Sequence, residues 1–95
     1  MRIKTTEVYR DWINGLKDNT ARARIQVRVD RLVHGNPGKF RHLTDGVSEL
    51  KIDFGAGYRV YYTERDRELI VLLAGGDKAT QKQDIREAIS LAKNL

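Results

Sequence analysis

Six polar side chains alternate with apolar ones along two neighbouring stretches of this sequence. They are Glu49, Lys51 and Asp53 in "SELKIDF", then Arg59, Tyr61 and Thr63 in "YRVYYTE". Each type has a use in chemistry on a charged substrate. A carboxylate such as Glu49 accepts a proton from a weakly acidic hydroxyl, with Lys51 as the alternative base where burial depresses a lysine. A guanidinium such as Arg59 grips two phosphate oxygens in a fork. A phenol such as Tyr61 stacks on a base or donates to a phosphate. Asp53 is suited to orienting Arg59. The set therefore fits a site for a phosphate-bearing substrate. The plainer alternative is a wet sheet face with Asp53–Arg59 and Lys51–Tyr61 as cross-strand pairs.

The elements that position these residues follow from period-two alternation. Both stretches read as β-strands, and Gly55 and Gly57 supply the turn between them. With Phe54 opposite Tyr58, antiparallel pairing sets Ile52 against Val60, Leu50 against Tyr62, Asp53 against Arg59, Lys51 against Tyr61 and Glu49 against Thr63. One face is then apolar and the other polar. A third strand, "LIVLLAG", is apolar on both faces, so something covers part of the sheet. It leads into "GGDKATQ", which brings Lys78 and Gln81 to the end of the polar stripe. Lys78 there adds charge stabilisation.

The rest of the chain supplies helices. "MRIKTT" reads as a short opening strand, followed by a helix capped by Thr6 or Thr5 and running to about Asn14, with Val8, Tyr9, Trp12, Ile13 and Leu16 on one face. Asn19 or Thr20 caps a second helix that runs to about His34, where Gly35 and Pro37 end it. Its arginines Arg22, Arg24, Arg28 and Arg31 lie off the apolar stripe and read as solvated, with a phosphate-binding stripe as the alternative. The short connection makes the two helices an antiparallel hairpin. "KFRHL" reads as a further short strand. Thr80 with Gln83 forms a capping box for a C-terminal helix with Ile85, Ala88, Ile89 and Ala92 on its stripe. The expected class is α+β: helices on one side of a small, mainly antiparallel sheet, in one domain spanning residues 1–95.

Composition narrows the function classes. The 95 residues contain no cysteine, which excludes disulfides, thiolate zinc sites and cysteine nucleophiles. No apolar run is long enough to span a bilayer, and the N-terminus lacks a signal-peptide apolar region, so a cytoplasmic setting is expected. A formal net charge of +5 favours a polyanionic partner, because neutralising phosphates releases counterions. "GAGYRV" lacks the third glycine and following helix of a dinucleotide fingerprint, and "GGDKAT" lacks the Walker spacing. His34 reads as a partner of a helix C-terminus, and His42 as exposed or reaching the polar face. No His, Asp and Glu cluster has metal-ligand spacing, so neither metal nor cofactor is expected.

Two segments, "FRHLTDGVSELKIDFGAGYRVYYTERD" and "IVLLAGGDKATQKQDIREAI", carry a family likeness. In length, order and spacing the chain resembles the RelE/ParE superfamily of toxins from bacterial toxin–antitoxin modules, in particular the HigB-like addiction-module killer proteins. The resemblance implies a RelE-like fold: a helical hairpin, an antiparallel sheet and a C-terminal helix. It also implies a ribosome-dependent mRNA endoribonuclease that cuts by attack of a 2′-hydroxyl on the adjacent phosphate. On that likeness Glu49 and Lys51 fall where members carry paired strand residues, often lysines. Arg59 falls at the phosphate-contacting arginine and Lys78 near the basic position after the last strand. Glu49 departs from an expected basic residue, and no tyrosine or histidine follows Lys78. Glu49, Lys51, Arg59 and Lys78 are thus the candidate catalytic residues, and Arg41, Tyr61 and Gln81 the candidate RNA contacts. The implied partners are an antitoxin with a helix-turn-helix, the ribosome and mRNA, with operator DNA reached only through the antitoxin complex. Two other functions fit the superfamily: gyrase inhibition of the ParE kind, and a catalytically inactive protein that only binds its antitoxin.

Overall fold

The computed structural model describes Met1–Leu95. Strand β1 (Arg2–Thr5) leads into helices α1 (Glu7–Gly15) and α2 (Asn19–Val33). Strands β2 (Phe40–His42), β3 (Val47–Ile52), β4 (Tyr58–Arg65) and β5 (Leu69–Gly76) follow, then a 3-10 turn (Lys78–Thr80) and helix α3 (Gln81–Lys93). The five strands form one sheet in the order β1-β5-β4-β3-β2. The class is α+β, as the sequence implies. The sheet is mixed, because β1 pairs parallel with β5 while every other neighbour is antiparallel.

The helices occupy both faces of the sheet, which corrects the one-sided arrangement. Tyr9 and Ile13 of α1 and Ile25, Val29 and Leu32 of α2 pack on Leu50, Ile52, Val60, Tyr62, Ile70 and Leu72. On the other face, Ala88 and Ala92 of α3 pack on Val47, Tyr61, Val71, Leu73 and Ala74. The doubly apolar β5 needs both covers. A register shift of β4 against β5 at Tyr61/Tyr62 places Leu73 and Ala74 together on the α3 side. At the end of β5 the helices come close to the backbone itself. A Cβ on Gly75 would overlap the Trp12 indole, and one on Gly76 would overlap Asp84 and Thr80.

The β3–β4 register lies two residues from the one expected. Ile52 faces Tyr58, Lys51 faces Arg59, Leu50 faces Val60 and Glu49 faces Tyr61. The loop is longer than a tight glycine turn: Asp53–Gly57 lie outside the ladder, and Gly55 (φ +56°) and Gly57 (φ +77°) take the left-handed conformation that glycine permits. A two-residue slip preserves the alternation, so every side chain keeps its expected face.

Helix ends differ in detail. Thr6 caps α1 by accepting from the Tyr9 amide at 3.0 Å. Asp18, one residue before the expected cap, accepts from the Thr20 and Ala21 amides and caps α2. Its carboxylate also suits the positive end of the helix dipole. Thr80 makes no capping bond. Asp77 caps the 3-10 turn, and the Thr80 hydroxyl donates to Asp84 instead. The α2 arginines are mostly engaged rather than solvated. Arg22 donates to the carbonyls of Asn14 and Leu16, and Arg28 donates to those of Lys51, Pro37 and Lys39. Arg24 lies over the Phe54 ring, 4.5 Å from its centroid.

Candidate functional site

The centre of the polar face is not solvated. Glu49 and Tyr61 are 0 % exposed, Thr63 3 % and Arg59 8 %. Helix α3 covers Tyr61, with its small residues Ala88 and Ala92 packed on β4 and β5, and its first residue Gln81 reaches Glu49. Glu49 is the centre of the cluster. Its Oε1 accepts from Arg41 Nε at 2.7 Å, and its Oε2 accepts from Gln81 Nε2 at 2.9 Å. Three elements thus meet on one carboxylate: β2 brings Arg41, β3 brings Glu49, and the first residue of α3 brings Gln81. Burial alone would raise the Glu49 pKa. Hydrogen bonds from Arg41 and Gln81, with the Arg41 charge, outweigh it and hold the carboxyl below its ordinary value. Burial, with the Glu49 charge second, pushes the Tyr61 phenol well above its ordinary value. That hydroxyl lies beside Glu49 yet is left without a hydrogen bond of good geometry.

Arg59 lies at the edge of the cluster. Its Nη1 donates to the Gly57 carbonyl at 2.8 Å and more weakly to that of Tyr58 at 3.3 Å. Its Nε is buried without a hydrogen bond, 3.9 Å from Glu49 Oε2. Nη2 makes no hydrogen bond within the chain. The guanidinium lines an open depression of about 390 Å³ formed by the Asp53–Gly57 turn, together with Lys78. The absent side chain of Gly57 keeps the floor clear between them: a Cβ there would stand 3.4 Å from Arg59 Nη1 and 3.5 Å from Lys78 Cβ. Lys51 faces Arg59 across the ladder and is half-buried.

The seven candidate residues therefore separate into two groups. Glu49 and Tyr61 form a buried centre, which Gln81, half-buried, and Arg41, exposed, close from the rim. Arg59 and Lys78 line an open hollow, with Lys51 beside Arg59. Tyr61 has no surface on which a base could stack. Asp53 does not orient Arg59: it pairs with Lys39 at 2.7 Å, both side chains exposed. His42 belongs to the opposite face, where its Nδ1 is 2.9 Å from Ser48 Oγ and its ring meets Phe40 edge-on. The Arg41–Glu49 and Lys39–Asp53 pairs escaped sequence reasoning. The only signal was the acid at 49 in a chain of excess base, which implies a cation nearby once it is buried.

The family model described as "Phage derived protein Gp49-like" matches residues 11–95 of the chain. An uncharacterized protein of Haemophilus influenzae (strain ATCC 51907 / DSM 11121 / KW20 / Rd) is 45% identical over 95 residues, covering 100% of this chain and 96% of that protein. No solved structure matches. The chain belongs to the Gp49-like family of phage-derived proteins, a toxin–antitoxin-associated family related to the RelE and HigB toxins.

Proposed function

We propose that this chain is the toxin of a type II toxin–antitoxin module and that it arrests translation as an endoribonuclease acting on mRNA at the ribosome. The observation that carries the reading is Arg59. Its guanidinium is anchored through Nη1 to the Gly57 carbonyl, leaves Nη2 without a partner in the chain, and faces a hollow shared with Lys78. A fixed, incompletely satisfied guanidinium beside further cations is preorganised for a phosphate.

In this mechanism the 2′-hydroxyl oxygen attacks the adjacent phosphorus and the P–O5′ bond breaks, giving a 2′,3′-cyclic phosphate; solvent water in the open hollow takes the 2′-hydroxyl proton and supplies one to the departing 5′-oxygen. Arg59 holds the non-bridging oxygens, and Lys78 and Lys51 stabilise the charge that gathers on them. Glu49 serves as an anchor rather than a base. Both its oxygens are occupied and its pKa is depressed, so it accepts a proton reluctantly. Its partners Arg41 and Gln81 hold the cluster closed and touch RNA only at its edge. An antitoxin silences the protein by covering the Arg59–Lys78 hollow. The setting of this chemistry is the cytoplasm.

The test is Arg59→Ala beside Arg59→Lys, with transcript 5′ ends mapped after brief expression without the antitoxin. The alanine variant should stay folded and lose cleavage by roughly 10²–10³. The lysine variant should recover only part of it, because the fork is gone. Full toxicity in a soluble, folded Arg59→Ala protein removes this site.

A further inference from the structure

We propose that the hollow between α2 and the end of β3 is a second contact for single-stranded RNA, continuing the path of the strand whose phosphate Arg59 holds. The first contact rests on the function proposed for Arg59; the second stands on its own geometry. The hollow is about 450 Å³ and lies between α2 and the end of β3. It shares Asp53 and Phe54 with the depression that holds Arg59 and Lys78. The two hollows therefore meet around the tip of the β3–β4 turn, one on each side of the sheet end.

Its lining is cationic. Arg24 and Arg31 are exposed and lie seven residues apart on α2, hence on one face and about 10 Å apart along the axis. Arg28 stands between them. Its guanidinium is spent on the carbonyls of Lys51 (2.6 Å), Pro37 and Lys39 (3.0 Å each), so it adds charge and holds the wall. Asp53 is the one acid in the lining, and Lys39 neutralises it at 2.7 Å.

The aromatic component is also present. The Arg24 guanidinium lies 4.5 Å from the Phe54 centroid, a stack onto which an unpaired base can continue. Successive cations beside an aromatic are what a backbone-tracking groove for single strands provides. A duplex is too stiff to turn around so small a tip, with its persistence length of about 150 base pairs. A protein helix fits less well. Val27 is the one exposed large apolar side chain in the lining, whereas helix docking uses several anchors along one face.

The experiment uses fluorescence anisotropy with the purified chain and 2′-O-methyl RNA, which cannot be cut. Two probes are compared, a dinucleotide and an oligonucleotide of about eight nucleotides. The Arg24→Ala/Arg31→Ala double variant changes only exposed side chains, and its melting curve checks the fold. It should bind the longer probe about tenfold more weakly, with a salt slope shallower by about 0.7 for each phosphate no longer neutralised, while dinucleotide binding stays unchanged. Arg59→Ala should weaken both probes. Unchanged binding of the longer probe by the double variant overturns the proposal, as does equal loss on both probes. No binding of either probe to the wild-type chain also overturns it. Binding of an acidic peptide in a manner that depends on Arg24 and Arg31, with RNA indifferent to them, would identify a protein-docking face instead. Toxicity surviving Arg59→Ala, with longer-probe binding still dependent on Arg24 and Arg31, removes the Arg59 reading and leaves this one.

Discussion

Arg59 and Glu49 approach to 3.9 Å, yet substitution should separate them. In the proposed mechanism Arg59 answers to the substrate and Glu49 to the fold. The folded pKa of Glu49 lies below its ordinary value of 4.5, so its stabilisation is present above that pH and disappears as the pH falls through the folded value. Glu49→Gln should therefore cost roughly 1–3 kcal/mol at neutral pH, where Arg41 and Gln81 keep only a neutral acceptor. Below the ordinary carboxylate range the variant and wild-type stabilities should converge. Chemical denaturation at a series of pH values measures both limbs. Equal stability of the two proteins at neutral pH would mean that the charge on Glu49 contributes nothing. Cleavage by Glu49→Gln should fall only through misplacement of Arg59. Complete loss of cleavage, with the fold intact, would restore Glu49 as the base. The residue types at this site were legible in the sequence because alternation assigns each to a face. Their exposure was not, because a polar face reads the same whether water or another helix covers it.

At the scale of elements, the strands and helices were legible where local period decides them, as in α1, α2 and the three long strands. Register and layer were less so. Glycines at 55 and 57 suggest a tight turn, but turn length is set by which cross-strand pairs close best, and here Ile52 with Tyr58 closes the ladder. An apolar stripe on α3 says which side of the helix is buried, not which side of the sheet receives it. The β4–β5 connection shows another limit. Asp66 (φ +55°) and Arg67 (φ +58°) are both left-handed, and Glu68 N–H donates to the Arg65 carbonyl at 3.1 Å. That is a primed hairpin turn without the glycine it favours. Arg67→Gly should raise stability by about 1 kcal/mol, relief of the left-handed strain exceeding the added freedom of the unfolded chain. Thermal unfolding measures it, and a lower melting temperature would show that Arg67 makes a compensating contact.

For the whole molecule, the proposed activity predicts an order of events in the cell. Expression without an antitoxin should halt incorporation of labelled amino acids before that of labelled thymidine. If DNA synthesis stops first with translation intact, the target is gyrase and the Arg59 hollow is not the working surface. The net charge of +5 fits a polyanionic target but does not choose between these outcomes. No helix is long and apolar enough to cross a membrane. The parallel pairing of β1 with β5 bears on how the chain is made. The Thr6 hydroxyl donates to the Leu73 carbonyl, 67 residues further on, so the first strand synthesised has no partner until β5 has been translated. Glu49 likewise lacks Gln81 until the very last helix arrives. A ribosome that stalls before residue 69 therefore carries a nascent chain with an unzipped edge and a wet ionic core. Such a chain is prey for proteases and chaperones rather than a folded domain, so vectorial synthesis itself withholds the fold until β5 and α3 have been made.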